Sequence, residues 1–139
     1  MQKTTAVLEH VERLIRRYPQ LAQCRGQILA SYELIRACYD AQGMLLVCGN
    51  GGSGADAEHI VGELMKEFAV KRPLPAQDQQ MLRALSRELP GQDGELLAGH
   101  LQGALPAVTL TSNIALSTAY ANDAVPELAF AQQVYGYGR

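Results

Sequence analysis

Three observations predict an α/β domain. A short apolar run, Met44-Leu45-Leu46-Val47-Cys48, leads at once into a glycine-rich loop, Gly49-Asn50-Gly51-Gly52-Ser53-Gly54. A helical stretch follows over 55–68, and a second apolar run, Ala107-Val108-Thr109-Leu110, returns further along the chain. Strands separated by helices point to a parallel sheet, because parallel strands need a long crossover and that crossover is usually a helix. Only two strands are visible, so the sheet is expected to be small and the chain mostly helical.

Val7, Leu8, Val11, Leu14 and Ile15 recur at helical spacing with Glu12, Arg13, Arg16 and Arg17 between them, which predicts an amphipathic helix that Pro19 ends. A second helix is expected over 21–41, with Cys24, Ile28, Tyr32, Ile35 and Tyr39 on one stripe and Gly43 as its stop. Residues 1–42 thus read as an antiparallel helical pair, an arrangement that also commonly dimerises. In the helix over 55–68, Ile60, Val61, Leu64, Met65 and Phe68 are expected to face the core, with Asp56, His59 and Glu63 on an adjoining face.

Residues 70–77 contain Pro73 and Pro75 and read as an extended linker, not a ladder strand. Two modest helices follow, over 78–88 and 94–102, separated by the turn sequence Pro90-Gly91-Gln92-Asp93-Gly94. They resemble an inserted helical hairpin. After the second strand, Thr111-Ser112-Asn113 supplies a cap for a helix reaching about Tyr120, and a last helix is expected to begin at Pro126 and end near Tyr135.

A chain of 139 residues has single-domain length, and its formal charge of −2 provides no field to draw it onto nucleic acid or an anionic membrane. Any anion site must therefore be local. Cys24, Cys38 and Cys48 show no CxxC spacing, which argues against a disulfide framework or thiol metal knuckle and fits a reducing cytosol. They read as small buried apolar residues. Charges at Glu9, Glu12 and Arg13 exclude a signal peptide from the N-terminal segment, and no apolar run approaches membrane-spanning length. A cytoplasmic protein with neither nucleic acid nor membrane as partner is expected.

The glycine loop lies where a strand hands over to a helix. Glycines let backbone N–H groups turn toward a ligand, and the helix start adds unpaired N–H groups and the positive end of its dipole. A phosphate suits such a place. The loop also satisfies GxGxxG literally, but a dinucleotide site needs a following strand that ends in an acidic residue, and the two prolines after this helix oppose one. No GK[ST] follows, so it is not a Walker loop. A turn with no ligand is the remaining alternative. Ser53 has a hydroxyl for a phosphate or for capping its own helix, with Asp56 three positions on in a capping-box-like place, and Asn50 suits an αL turn or a substrate hydroxyl. His59 and Glu63 are four apart, hence on one face, close enough to share a metal or a hydrogen bond. Surface i,i+4 pairs are common, but beyond a phosphate loop Glu63 is expected where the carbons of a phosphosugar lie, as a general base with a raised pKa.

Read together, CGNGGSGADAEHIVGEL resembles the sugar isomerase (SIS) domain, most closely its phosphoheptose isomerase branch. The family's first loop has the form GNGGS, followed by a helix with Asp, His and Glu at the spacing of Asp56, His59 and Glu63. Residues 110–139 are similar to the segment after the family's second strand, with Asn122-Asp123 matching its Asn-Asp pair. The resemblance implies a flavodoxin-like parallel sheet flanked by helices. It also implies isomerisation of sedoheptulose 7-phosphate to D-glycero-D-manno-heptose 7-phosphate through an enediol, for surface-glycan precursors such as lipopolysaccharide. Carried over by position, Asn50, Gly51, Gly52 and Ser53 hold the substrate, Asn122 and Asp123 contact the sugar, and Glu63 is the base. His59 and Glu63 are the metal ligands where zinc is present. No nucleotide cofactor is implied, and a homo-oligomer, dimer or tetramer, is.

Relative to the shortest family members, residues 71–105 are an insertion. The family's second, serine-threonine loop of the form STSGNS, and its C-terminal Gln and His that complete the metal and acid-base site, have no match here. The expectation is one incomplete SIS domain over 1–139, associating through an unpaired strand and showing little or no isomerase activity by itself. Some family members are similar in fold but non-catalytic, serving as phosphosugar sensors or as a partner of the replication initiator DnaA. The presence of both His59 and Glu63 favours the isomerase over that module.

Overall fold

The computed structural model describes residues 2–88 and 93–138, with side chains from residue 5 onward except 86–88. The chain divides into two compact units, 1–43 and 44–139.

In the first unit, α1 (Gln2–Arg17) and α2 (Arg25–Asp40) pack against each other. Between them Pro19–Cys24 forms a 3₁₀ turn, and the second helix therefore starts later than the apolar spacing suggests. Proline fits the first turn because its missing N–H has no partner there in any case. Val11 is buried, and Arg25 Nε donates to Glu12 Oε1 at 2.8 Å across the pair. Of the expected stripe, Tyr32 and Ile35 stay exposed while Cys24, Ile28 and Tyr39 are half-buried.

The stop of α2 differs from expectation as well. Gly43 N donates to Cys38 O at 2.8 Å and Gln42 N to Tyr39 O at 3.0 Å, the paired bonds of a Schellman motif. Gln42, at φ +59°, occupies the left-handed position expected of glycine. Gly43 is needed for a different reason: a Cβ there would come within 2.5 Å of Cys38 Sγ.

In the second unit, β1 (Leu45–Val47) and β2 (Ala107–Thr109) pair in parallel with Leu45 opposite Ala107 and Val47 opposite Thr109. Helix α3 (Gly52–Met65) packs on both strands. It starts three residues before the expected 55 and ends three before 68, and its buried face also differs from expectation. Gly54 and Ala57 are buried and Val61 and Leu64 half-buried, whereas Ile60 and Met65 are exposed and Phe68, beyond the helix, is 74% exposed. Small residues allow the helix to approach closely: a Cβ on Gly54 would lie 3.0 Å from Thr111 Cγ2.

After α3 the chain is extended, as the prolines imply, with an isolated antiparallel bridge between Pro73 and Gln102. Polar contacts order it in place of a ladder. Glu67 N donates to Gln102 Oε1 at 2.8 Å, and Arg72 N donates to Glu67 Oε2 at 3.1 Å. Helices α4 (Ala76–Glu88) and α5 (Asp93–His100) pack together as the expected hairpin, and residues 90–92 of its turn lie outside the described residues. Asn113 caps α6 (Ile114–Asp123), with Oδ1 accepting from Leu116 N at 3.4 Å. Pro126–Leu128 forms a 3₁₀ turn before α7 (Ala129–Tyr137), so proline opens this segment but not as an α-helix. Gln133 on α7 is buried and donates through Nε2 to Leu110 O at 3.0 Å, which ties α7 to the end of β2.

The expectation of three small buried cysteines holds only partly. Cys24 and Cys38 are half-buried, and Cys48, where β1 opens into the loop, is exposed. Among the described residues no helix is long and apolar enough to cross a membrane.

Candidate functional site

Parallel pairing places the segments after β1 and β2 side by side, since both strands end at the same edge of the sheet. The first of these segments is the glycine loop. Ser53 N donates to Asn50 O at 3.1 Å, closing a turn whose first central residue is Gly51 at φ +56°, ψ −126°. Those angles match a type II′ turn, a position that glycine dominates. Gly54 N and Ala55 N then donate to Gly51 O at 3.0 and 3.3 Å, and the helix is under way.

This geometry sorts the expected cradle residues. The Ser53 amide is taken up by the turn, so its remaining contribution to a ligand is its hydroxyl. Ser53 is the second residue of α3, not its cap; the cap is Gly51, and the capping box with Asp56 does not form. Among the described residues, no acceptor meets the amides of Asn50, Gly51 and Gly52. A Cβ on Gly51 or Gly52 would touch nothing within 4 Å, so space in front of both is open. These amides and the dipole of α3 favour an anion together.

His59 and Glu63 share a face of α3, with Nε2 and Oε1 3.7 Å apart, the imidazole 80% exposed and the carboxylate side chain 29%. That separation is an ion-pair distance and too long for a hydrogen bond. Because α3 begins at Gly52, Glu63 stands eleven residues in, roughly 16 Å along the axis from the first amide. That is about three helical turns. Arg72 secures this end of the helix, with Nη2 donating to Glu63 O at 3.0 Å and also to Lys66 O.

A zinc ion takes three or four protein donors. His59 and Glu63 supply two, and among the described residues no group of three His, Cys, Asp or Glu side chains converges. The residues present do not make up a zinc site.

Asn122 and Asp123 lie in the last turn of α6, and they are exposed. Asn122 Nδ2 donates to Asp123 Oδ1 at 2.8 Å, and no hydrogen bond joins either residue to the glycine loop among the described residues. From Ile114 the helix carries them roughly 13 Å along its axis. The structure groups Asn50, Gly51, Gly52 and Ser53 at the start of α3, with His59 and Glu63 further along it and Asn122 and Asp123 at the end of α6.

Thr111 and Glu58 did not stand out in the sequence but belong to the site. Thr111 Oγ1 donates to Gly49 O at 2.9 Å, and Ser112 Oγ donates to Glu58 Oε1 at 2.6 Å, so the segment after β2 grips both the loop and α3. A separate cleft of about 410 Å³ lies between the 67–74 segment and the hairpin. Its cations Lys71 and Arg83 are paired with Glu67 and Glu95, which leaves it a poor anion site.

Comparison with known proteins agrees with this geometry. Residues 8–92 match the family model described as SIS domain. The chain is similar to phosphoheptose isomerase of Desulfovibrio desulfuricans, 34% identical over 105 residues, covering 76% of this chain and 36% of that protein. It is similar also to phosphoheptose isomerase of a Synechocystis species, 31% identical over 114 residues, covering 82% and 43%. Among solved structures, phosphoheptose isomerase GmhA from Neisseria gonorrhoeae superposes with TM-score 0.53 at 24% identity, covering 99% of this chain and 54% of that one, a likeness of fold. The chain thus spans about 40% of the length of the curated relatives it matches. With more than half of its residues inside the matching model, the chain belongs to the SIS domain family.

Proposed function

We propose that this chain carries the anion-binding loop and the base-bearing helix of a phosphosugar isomerase. The whole protein would interconvert sedoheptulose 7-phosphate and D-glycero-D-manno-heptose 7-phosphate, in the cytoplasm and as a homo-oligomer, while this chain alone binds the sugar phosphate and turns it over little or not at all. One observation carries the reading: the amides of Gly51 and Gly52, which meet no acceptor among the described residues, open the same helix that presents the Glu63 carboxylate.

In such a reaction Glu63 removes the C1 proton of the ketose, the electron pair forms the C1–C2 double bond of an enediol, and the carbonyl oxygen takes a proton from an acid. Return of a proton to C2, with the C1 hydroxyl giving up its proton as the C1 carbonyl forms, gives the aldose. The base must come within hydrogen-bond reach of the proton it takes. Roughly 16 Å of helix axis between the first amide and Glu63 favours a long, extended sugar phosphate over a three-carbon one.

Sedoheptulose 7-phosphate incubated in D₂O with the chain joined to the C-terminal part of the Synechocystis relative tests this. Deuterium at C1 and C2 with heptose phosphate formed, both lost in Glu63→Gln, is expected. Turnover that survives Glu63→Gln removes Glu63 from the mechanism. Tight binding with no exchange favours the second reading, a non-catalytic SIS module.

A further inference from the structure

The base of the glycine loop is closed by one hydroxyl. Thr111 Oγ1 donates to Gly49 O at 2.9 Å and accepts from Gly49 N at 3.3 Å, so both backbone groups of Gly49 meet a single side chain 62 positions away. The Thr111 methyl lies against the other end of the loop, where a Cβ on Gly54 would stand 3.0 Å from Cγ2. Thr111 is itself held, its amide donating to Thr109 Oγ1 at 3.3 Å, and its neighbour Ser112 is bonded to Glu58 of α3. The loop is thus clamped at Gly49 and at Gly54, while among the described residues no acceptor meets the amides of Asn50, Gly51 and Gly52.

We infer that Thr111 is a positioning residue for the anion cradle. Its hydroxyl fixes the backbone of Gly49 and its methyl sets how closely the start of α3 approaches, and together they hold the Gly51 and Gly52 amides aimed outward before a ligand arrives. Preorganised donors bind better than donors that must first be ordered, because the ordering cost is removed from the binding step. Valine at this position keeps the methyl and loses the hydroxyl, leaving two half-buried polar groups of Gly49 without a partner. Serine does the reverse. The inference rests on the reading of the loop as an anion site.

The test is a titration of the 139-residue chain with inorganic phosphate, followed through the amide resonances of Gly51 and Gly52, with amide hydrogen exchange of residues 49–53 measured alongside. Thr111→Val is expected to bind phosphate about tenfold more weakly, and Thr111→Ser to restore affinity to within about threefold. A role confined to stability would lower the melting temperature and leave the affinity of the folded protein unchanged, and that result overturns the inference. If Thr111→Val does not fold, Gly54→Ala, which presses on the Thr111 methyl from the other side, replaces it; unchanged phosphate affinity there is equally fatal. If the wild-type chain shows no phosphate-dependent shift, the anion reading fails, and exchange alone judges Thr111. Faster exchange at Gly49 in Thr111→Val, reversed in Thr111→Ser, sustains its hold on the loop, and unaltered exchange refutes it.

Discussion

Arg72 Nη2 donates to the backbone carbonyl of Glu63 at 3.0 Å and to that of Lys66 as well, so a residue of the linker caps the C-terminal end of the helix that carries the candidate base. The last carbonyls of a helix have no intrahelical donors, and a cation there also meets the negative end of the dipole. Removing the guanidinium with Arg72→Met is expected to cost about 1–2 kcal/mol in urea unfolding. Amide exchange should quicken in the last turn of α3 while the loop at Gly51 is unaffected. Arg72→Lys should recover only part of the loss, since a flexible ammonium lacks the rigid planar guanidinium that holds Nη2 between the two carbonyls. Equal stability of all three proteins would show that the cap contributes nothing.

Gly51 and Gly52 are adjacent, both open on the side a Cβ would occupy, and should respond oppositely to alanine. Gly51, at φ +56° and ψ −126°, has a backbone conformation that resists any L side chain, so Gly51→Ala should destabilise by about 1–3 kcal/mol. Gly52 begins the helix without a positive φ, and Gly52→Ala should fold as well as wild type or slightly better. Its new methyl group would nonetheless stand where an anion has to approach the amides. Phosphate titration and thermal unfolding of both variants separate the effects: a stable Gly52→Ala with undiminished phosphate binding would place the anion elsewhere.

Local patterns made much of this legible in the sequence, and long-range partners account for what was not. The strand before Gly49, the helix after it and the hairpin of α4 and α5 follow from apolar runs, glycines and prolines within a few residues of one another. The start and the buried face of α3 did not: the turn at Asn50 to Ser53 already satisfies the first helical bonds, and the small residues Gly54 and Ala57, not Ile60, are the ones buried. Thr111 looked like part of a cap, and nothing near it in sequence signals that its hydroxyl belongs to Gly49. Arg72 sat in a linker whose prolines excluded a strand, without any sign of the two carbonyls it would hold.

Gln42 closes α2 in the left-handed conformation, φ +59°, with both Schellman bonds formed around it. An L side chain at that position carries a steric cost that glycine avoids, partly offset by glycine's greater freedom in the unfolded chain. Gln42→Gly should therefore stabilise the helix end by about 0.5–1 kcal/mol, seen as a raised melting temperature. Gly43→Ala should act in the opposite direction, because its Cβ would meet Cys38 Sγ at 2.5 Å and Cys38 O at 2.9 Å. A lower melting temperature in Gln42→Gly would mean that the glutamine side chain contributes more than its backbone costs.

Glu67 governs how the linker after α3 responds to acid. The hydrogen bond from Lys71 and, next, that from the Arg72 amide hold its carboxyl below the ordinary glutamate range, against a smaller opposing effect of desolvation. A carboxylate whose folded pKa is depressed adds stability that is complete above its unfolded pKa, about 4.3, and is lost as the pH falls through the lower folded value. Lys71→Gln removes the larger cause and keeps the Arg72 amide, so the folded pKa should rise part of the way back. The acid limb of the stability profile should move to higher pH, with the gap between the two proteins widest near neutrality and closing as Glu67 protonates in both. Carboxyl resonances of Glu67 followed through an acid titration, together with the pH of half-unfolding at fixed urea, measure the two halves of this linkage. Coincident titration curves for wild type and Lys71→Gln would assign the acid response of this segment to some other group.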